Sequence, residues 1–501
     1  MLIEQLEQFK KKVKEVVGSQ WVFDDPADRY PYGRDIVTDG LKRYTEMLPE
    51  FVVLPGSMEE IQKIVKLANE LKVPLYIIGG GSTLLVGSLP AKQGITLDFK
   101  RMQGMEIDYE NHTVSVEPGV WALPLSGEFK KIASEKGFRY RPYFGGGPGP
   151  SSHIGTNIFT GQNKLAGYKY SMGIYCVNAV EMVMPDGSLL KTSAMACGAK
   201  SSCWAHGPGP DLTYLPFFSN GAYGICTKII WQLFPIPDRY QTMWAYYRDF
   251  KTPLKAVREF MRREIGKGLT VIDCWTHSAY SSESIQESRI LAKVAPMIFL
   301  GLSIEGTERI VAYQKKIAAQ IITETGGRIA PPELVESYKG HEVNSAGWQQ
   351  SNSPRILKHL GRTAAAGTYL AVNEYEEFDD RMLKILKDLE DELDGYWNHP
   401  EPGFGQYAGG PQTYLSQFGH TNNAVEYIFA WDHRSEKNTQ AMVKILTSIK
   451  KVPVEMGAGP LVLGRDPSAP QFMKGSYAVA KKLKDLLDPA NIMSPGIGFL
   501  D

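Results

Sequence analysis

The chain has no net charge: its 501 residues hold 55 Lys and Arg against 55 Asp and Glu. Without a basic surplus, nucleic acid is excluded as the main partner, because phosphate neutralisation needs cations. The same balance argues against a polybasic membrane anchor. No run of about 18 uncharged apolar residues occurs, so no transmembrane helix is expected. The stretch from Met1 to Val17 carries Glu4, Glu7, Lys10, Lys11, Lys12, Lys14 and Glu15. It therefore lacks the apolar centre of a secretory signal. Cysteine is scarce: there are five, and none forms a C-x-x-C pair. An odd, sparse set fits reduced thiols and a cytoplasmic setting. Cys197 and Cys203 are candidates for a redox pair, but burial as small apolar residues is the reading adopted for both.

What the chain has in quantity is glycine and proline, 49 and 31 residues, gathered in short clusters within well-patterned sequence. Such clusters suit tight turns and close backbone approach to a ligand. The length predicts two to four domain-sized units. The first 20 residues read as an amphipathic helix, Phe51 to Leu54 as a strand, and 58–72 as a helix opened by Ser57 and Glu60 in a capping box. Pro74 to Ile78 reads as a strand running into Gly79-Gly80-Gly81-Ser82-Thr83. Strands over 94–99 and 113–117, a helix over 124–136 stopped by Gly137, and strands over 179–184 and 221–233 follow. A domain boundary falls near Asp238. Beyond it, helical segments at 254–265, 308–324, 379–393 and 439–450 alternate with strands at 240–247, 269–275, 298–303, 367–372 and 424–431. This pattern fits two α/β halves, with Tyr396 to His420 as an aromatic, glycine-rich loop between them. A last helix covers 477–487.

Three glycines directly after a buried strand leave backbone N–H groups sterically open. Such a nest suits an anion, most often a phosphate. A plain tight turn is the alternative. No Gly-Lys-Ser/Thr follows, so this is not a Walker loop, and no G-x-G-x-x-G with a distal acid marks a nicotinamide site. A second cluster, Gly145-Gly146-Gly147-Pro148-Gly149-Pro150, leads into Ser151 to Asn157. Two clusters suit one long cofactor carrying a pyrophosphate and a flat ring.

Four blocks together resemble the vanillyl-alcohol oxidase / p-cresol methylhydroxylase superfamily of flavoproteins. They are Val52 to Ser57 with Val73 to Thr83; Val116-Glu117-Pro118-Gly119-Val120; Ser152 to Asn157 with Glu181 to Gly187; and Gly209 to Leu212 with Tyr223 to Lys228. Leu487 to Gly496 matches the family's ending. The resemblance implies an α+β fold: a two-subdomain FAD-binding domain of the p-cresol methylhydroxylase type over 1–237, completed by 460–501, with an α/β cap over 238–459. It implies FAD, with Gly79, Gly80, Gly81, Ser82 and Thr83 at the pyrophosphate. Ser152, Gly155, Thr156 and Asn157 would line the pyrophosphate and flavin, and Gly224 and Ile225 the adenine and ribose end. Some relatives attach the flavin through a histidine where Gly81 stands here, and others through a cap residue near Thr421 to Asn423. Non-covalent FAD is therefore expected, with His420 the one nearby alternative.

In the phenol-oxidising branch, two tyrosines and an arginine hold a phenolate, and an acid lies near flavin N5. The matching positions here are Leu85 and Gly464, with Met172 near the acidic place; only Arg465 survives. Arg465 is a candidate anion clamp, or else pairs with Asp466. His277 and His420 are candidate pocket bases, against the reading of ordinary core or surface histidines. His153 would orient its loop. The hydroxy-acid branch typically carries a histidine-rich metal motif, but the nine histidines here are scattered and no bound metal is expected. The resemblance thus implies an FAD-dependent dehydrogenase or oxidase. It would take hydride from a small alcohol, hydroxy acid or activated C–H substrate, aromatic or anionic. The acceptor is left open among oxygen, a cytochrome, an electron-transferring flavoprotein and a partner subunit, and the chain as a homo-oligomer or a complex subunit. An FAD-bearing relay subunit and an enolpyruvyl-sugar reductase are the alternatives.

Overall fold

The computed structural model describes residues 2–34, 48–81, 87–142, 152–155, 173–201, 204–207, 209–249, 251–273, 284, 287, 290, 298–331, 362–371, 373–389, 411–415, 422–431, 436–458 and 469–497. Helix α1 (Leu2–Val17) turns Leu6, Phe9, Val13 and Val17 inward onto a first core. That core is built on a four-stranded sheet. Strands β1 (Val22–Phe23), β2 (Val52–Val53), β3 (Leu75–Ile78) and β4 (Ile95–Asp98) lie in the order β1-β2-β4-β3. The β2–β4 and β3–β4 pairs are parallel. Parallel pairing requires a crossover, and helix α2 (Met58–Leu71) supplies it. Its apolar residues Ile61, Ile64, Val65, Ala68 and Leu71 recur at helical spacing and are all buried. Ser57 Oγ accepts from Glu60 N at 3.2 Å, a cap worth about 1 kcal/mol. The return bond is displaced by one residue, since Glu60 Oε2 accepts from Gly56 N at 2.6 Å.

A five-stranded antiparallel sheet adjoins. It comprises β5 (Met105–Asp108), β6 (Thr113–Val116), β8 (Val177–Val183), β9 (Leu189–Lys191) and β10 (Ile225–Gln232), in the order β5-β6-β10-β8-β9. Helix α3 (Ala122–Lys136) covers it with Ala122, Leu125 and Phe129, and Gly137 ends the helix at φ +68°. A two-stranded ribbon, β7 (Tyr140–Arg141) with β11 (Phe234–Pro235), closes this part.

All described strands from Arg239 to Trp431 form one seven-stranded antiparallel sheet. They are β12 (Arg239–Tyr247), β13 (Gly268–Asp273), β14 (Ile298–Gly306), β15 (Arg328–Ile329), β16 (Arg362–Ala371), β17 (Pro411–Leu415) and β18 (Asn422–Trp431). The order is β15-β12-β14-β13-β17-β18-β16. Helices α4 (Thr252–Arg262) and α5 (Glu308–Glu324) belong to the first half, and α6 (Tyr375–Asp388) and α7 (Glu436–Ile449) to the second. All four share one core with the sheet. Among the described elements each half runs strand, helix, strand, strand, helix, the first adding β15 at its end, and the halves join where β13 pairs with β17. Here the sequence reading needs correction. Residues 411–415 were expected within a loop, yet they form the strand that makes the sheet continuous. Their pairing is long-range, and an opening proline hides it from local pattern.

Helix α8 (Gly475–Leu487) returns the chain to the first module. Leu75 N donates to Ile492 O at 2.7 Å and Ser494 N to Leu75 O at 2.9 Å, so the C-terminal segment lies along β3. Cys197 is exposed, against expectation, and Cys203 lies outside the described residues; Cys176 and Cys226 are buried. No described helix is long and apolar enough to cross a membrane, and no described group of three His, Cys, Asp or Glu could hold a metal.

Candidate functional site

Parallel strands β3 and β4 point their carboxyl ends at the same place, where open α/β sheets bind ligands. From β3 the chain turns through Gly79, Gly80 and Gly81, and Gly81 has φ +66°. Gly79 is glycine because of what faces it. A Cβ there would lie 2.7 Å from Ser152 Cβ and 2.9 Å from Ser152 Oγ. Ser152 is itself held firmly: its Oγ donates to Pro118 O at 2.6 Å and accepts from Gly155 N at 3.0 Å. His153 N donates to Val120 O, and Ser152 bridges Trp121. Between these pieces threads Gly119. A Cβ on it would lie 2.3 Å from Phe99 O and 2.5 Å from Met102 O. The glycine turn, the Pro118–Val120 segment and the Ser152–Gly155 turn thus converge within contact distance of one another.

This cradle suits a pyrophosphate. Among the described residues, no hydrogen bond engages the N–H of Gly79, Gly80 or Gly81. A nest of backbone donors with no side chain above it favours an anion without needing a cation. The residues present therefore fit FAD.

Of the expected site residues, the structure brings together Gly79, Ser152 and Gly155, and Gly80 and Gly81 continue the turn from Gly79. Gly224 and Ile225 lie elsewhere. Gly224, at φ +141°, would drive a Cβ to 2.6 Å from Val183 O, so it lets β10 approach β8. The Ile225 side chain is fully buried in the first core. Ser82, Thr83, Thr156, Asn157, His277, His420 and Arg465 lie outside the described residues, as do Leu85, Met172 and Gly464.

His153 is buried with its ring edge-on to Trp231 at 4.5 Å. Burial pushes its pKa down to about 3, which keeps the ring neutral. It packs as a core histidine at the base of the Ser152 turn.

The sequence reading missed two features of this region. Gly119 was quoted within a block, but its Pro-Gly pair was not connected to the site. Asn220 and Gly221 were not singled out, although both take positive φ, +50° and +81°. A Cβ on Gly221 would lie 2.6 Å from Ile77 Cδ1 and 3.1 Å from Ser494 Oγ, which puts this turn beside β3.

Residues 49–193 match a family model described as an FAD binding domain. The chain is 31% identical over 261 residues to the glycolate oxidase subunit GlcD of Bacillus subtilis, covering 51% of each protein. It is 32% identical over 192 residues to a mitochondrial D-lactate dehydrogenase (cytochrome) of Arabidopsis thaliana, covering 38% of this chain and 31% of that one. The chain thus spans about half the length, or less, of these curated relatives. Over the whole fold it is similar to p-cresol methylhydroxylase, with TM-score 0.84 and 17% identity over 99% of this chain and 97% of that one. It is also similar to 4-ethylphenol oxidase from Gulosibacter chungangensis, with TM-score 0.79 and 18% identity over 99% and 98%. Residues 49–193 thus carry an FAD-binding domain, and the chain as a whole shares the fold of p-cresol methylhydroxylase.

Proposed function

We propose that the protein is an FAD-dependent oxidoreductase that takes hydride from a small 2-hydroxy acid or related alcohol. The observation that carries this reading is the close approach of the Gly79 to Gly81 turn to Ser152, inside the segment matching an FAD binding domain. Bound FAD supplies a two-electron acceptor at N5. The chain's own residues do the rest. Backbone N–H groups of Gly79 to Gly81 hold the pyrophosphate, and Ser152 and Gly155 brace the opposite wall. The unit over 238–459 roofs the ring as a cap, above an FAD-binding domain over 1–237 that 460–501 completes. Arg465 clamps the substrate's anionic group, and His277 or His420 takes the hydroxyl proton.

Two considerations favour a hydroxy acid over a phenol. The sequence relatives are named for glycolate and D-lactate. Leu85 and Gly464 stand where the phenol branch would place tyrosines, leaving an arginine suited to a carboxylate. The test is a panel of D-2-hydroxy acids and 4-alkylphenols, each mixed anaerobically with the purified protein and followed by loss of flavin absorbance. Bleaching by a hydroxy acid is expected, with KM raised in an Arg465→Ala variant. Bleaching by alkylphenols alone would transfer the protein to the phenol branch.

A second reading is an FAD-bearing relay subunit, favoured by the word subunit in the name of the Bacillus relative. In that case no substrate bleaches the isolated chain, and a partner chain restores the reaction. The flavin is proposed to be non-covalent. Acid precipitation should leave a colourless pellet and a yellow supernatant; a yellow pellet would establish a covalent link.

A further inference from the structure

One run of chain touches both the glycine cradle and the seven-stranded sheet. It starts in β10, where Trp231 stands edge-on to His153 with ring centroids 4.5 Å apart. Both side chains are buried, and His153 directly follows Ser152, the wall that faces Gly79. Val120, next to Gly119 in the cradle, and Ile154 lie in the same core as Trp231. A close-packed core passes a displacement on instead of absorbing it. Beyond Trp231 the chain enters β11, which pairs with β7. Phe234 and Tyr140 of this ribbon pack against that same core.

The ribbon is tied to the seven-stranded sheet in three ways. Only Ile236, Pro237 and Asp238 separate β11 from β12. Pro235 and Pro237 fix φ in this crossing, and Ile236 N donates to Arg139 O at 2.8 Å, so the crossing is a stiff strut. Arg139 also donates to Asp238 Oδ1 and to Pro237 O, each at 3.1 Å, but both charged side chains are exposed and hold weakly. Arg141, two residues on, donates to Glu305 Oε1 at 2.7 Å, and that carboxylate is fully buried. Glu305 lies opposite Tyr240, the second residue of β12. The contact therefore sits at the root of the sheet, where β12 leaves the strut. The nine residues of β12 extend about 30 Å from that root, so a small change of angle there becomes a large displacement at the far end.

We propose that this ribbon couples cofactor binding to the docking of the seven-stranded sheet, with the Arg141–Glu305 contact as its latch. The proposal rests on the FAD reading above. A ligand that immobilises the Ser152 wall restricts His153, Trp231 and the ribbon packed behind them, and so favours the latched sheet. By reciprocity the latched sheet favours the ligand by the same factor. Arg141 is thus a positioning residue that needs no contact with FAD.

Hydrogen–deuterium exchange of the full chain, flavin-free and FAD-loaded, tests it, together with the FAD dissociation constant of each variant. In the wild type, FAD is expected to slow exchange at Ser152 to Gly155 and also over β12 and β14. In Arg141→Met the slowing at Ser152 to Gly155 should remain, that over β12 and β14 should vanish, and FAD affinity should fall about fivefold or more. Arg141→Lys should recover part of both. Glu305→Gln should repeat the pattern and takes the place of Arg141→Met if that variant does not fold. The double variant should lose no more FAD affinity than the worse single one. A purely structural role for Arg141 would speed exchange in β12 and β14 equally with and without FAD, leaving the slowing by FAD intact. That result overturns the proposal, as does an unchanged FAD affinity, or wild-type protein whose β12 and β14 are indifferent to FAD. Wild-type protein that binds no FAD would instead overturn the cofactor reading beneath it.

Discussion

A Gly79→Ala variant is expected to fold and to lose most of its affinity for FAD. The added methyl would stand 2.7 Å from Ser152 Cβ, closer than carbon atoms approach without displacement. Ser152 cannot swing aside cheaply, because its Oγ is committed to Pro118 O and to Gly155 N. Either the glycine turn lifts away from the wall or the Ser152 turn moves and drops one of those bonds. Overpacking of this kind costs about 1–3 kcal/mol. Where the glycine turn lifts away from Ser152 the free chain is relieved of the clash, and the cost falls on the bound state, which needs the turn in place. An affinity loss of about 5- to 150-fold corresponds to that range. Flavin content of the purified variant, and the FAD concentration needed to restore it, measure the effect. Wild-type flavin retention would mean that the cradle is not where the pyrophosphate sits. Gly137→Ala, at a helix terminus with nothing within 4 Å of its Cβ, is the matching control with strain at φ +68° but no cradle contact.

The contrast between those two glycines bears on what can be read from sequence. The Gly79 cluster was legible because it follows a short apolar strand and precedes hydroxyl residues. Gly119 and Gly224 are glycine for reasons that lie far along the chain: carbonyls of Phe99 and Met102 crowd the first, and Val183 O the second. Only the folded chain reveals such pairings. Helix α2 was visible from the periodicity of Ile61, Ile64, Val65 and Ala68, and from Ser57 at its cap. Strand β17 was not, because a five-residue strand opened by proline has no local signature and is held in place by β13 and β18. Lys484 reads as one solvated lysine in Lys481-Lys482-Leu483-Lys484; its burial depends on Asp488 and on a carbonyl 262 residues away. The candidate site divides in the same way. The glycine turn of its cradle is carried by local sequence, whereas the proposed substrate-side residues Arg465, His277 and His420 lie outside the described residues.

A Glu305→Ala variant should separate the stability of the two modules. Glu305 lies near the end of β14 with its side chain fully buried, yet it is paired with two cations. Lys267 Nζ approaches at 3.4 Å from the same sheet. Arg141 donates at 2.7 Å from β7, in the flavin-side module and one residue before the segment that carries the second glycine cluster. The carboxylate therefore fastens the seven-stranded sheet to the other module. Removing one partner of a fully buried pair typically costs about 3–5 kcal/mol. Arg141 and Lys267 keep side-chain exposures of 27% and 26%, so both can recover some hydration. The expected loss is nearer about 2–3 kcal/mol, with the vacated space adding to it. Glu305→Gln preserves the volume and one acceptor and should lose less. The two modules have separate cores, so calorimetry of Glu305→Ala is expected to broaden or split the unfolding transition as the cap sheet melts first. Proteolysis near Asp238 should accelerate in parallel. A variant that melts in one transition at the wild-type temperature would show that apolar packing alone holds the cap. In that case Arg141 serves only to anchor the ribbon formed by β7 and β11.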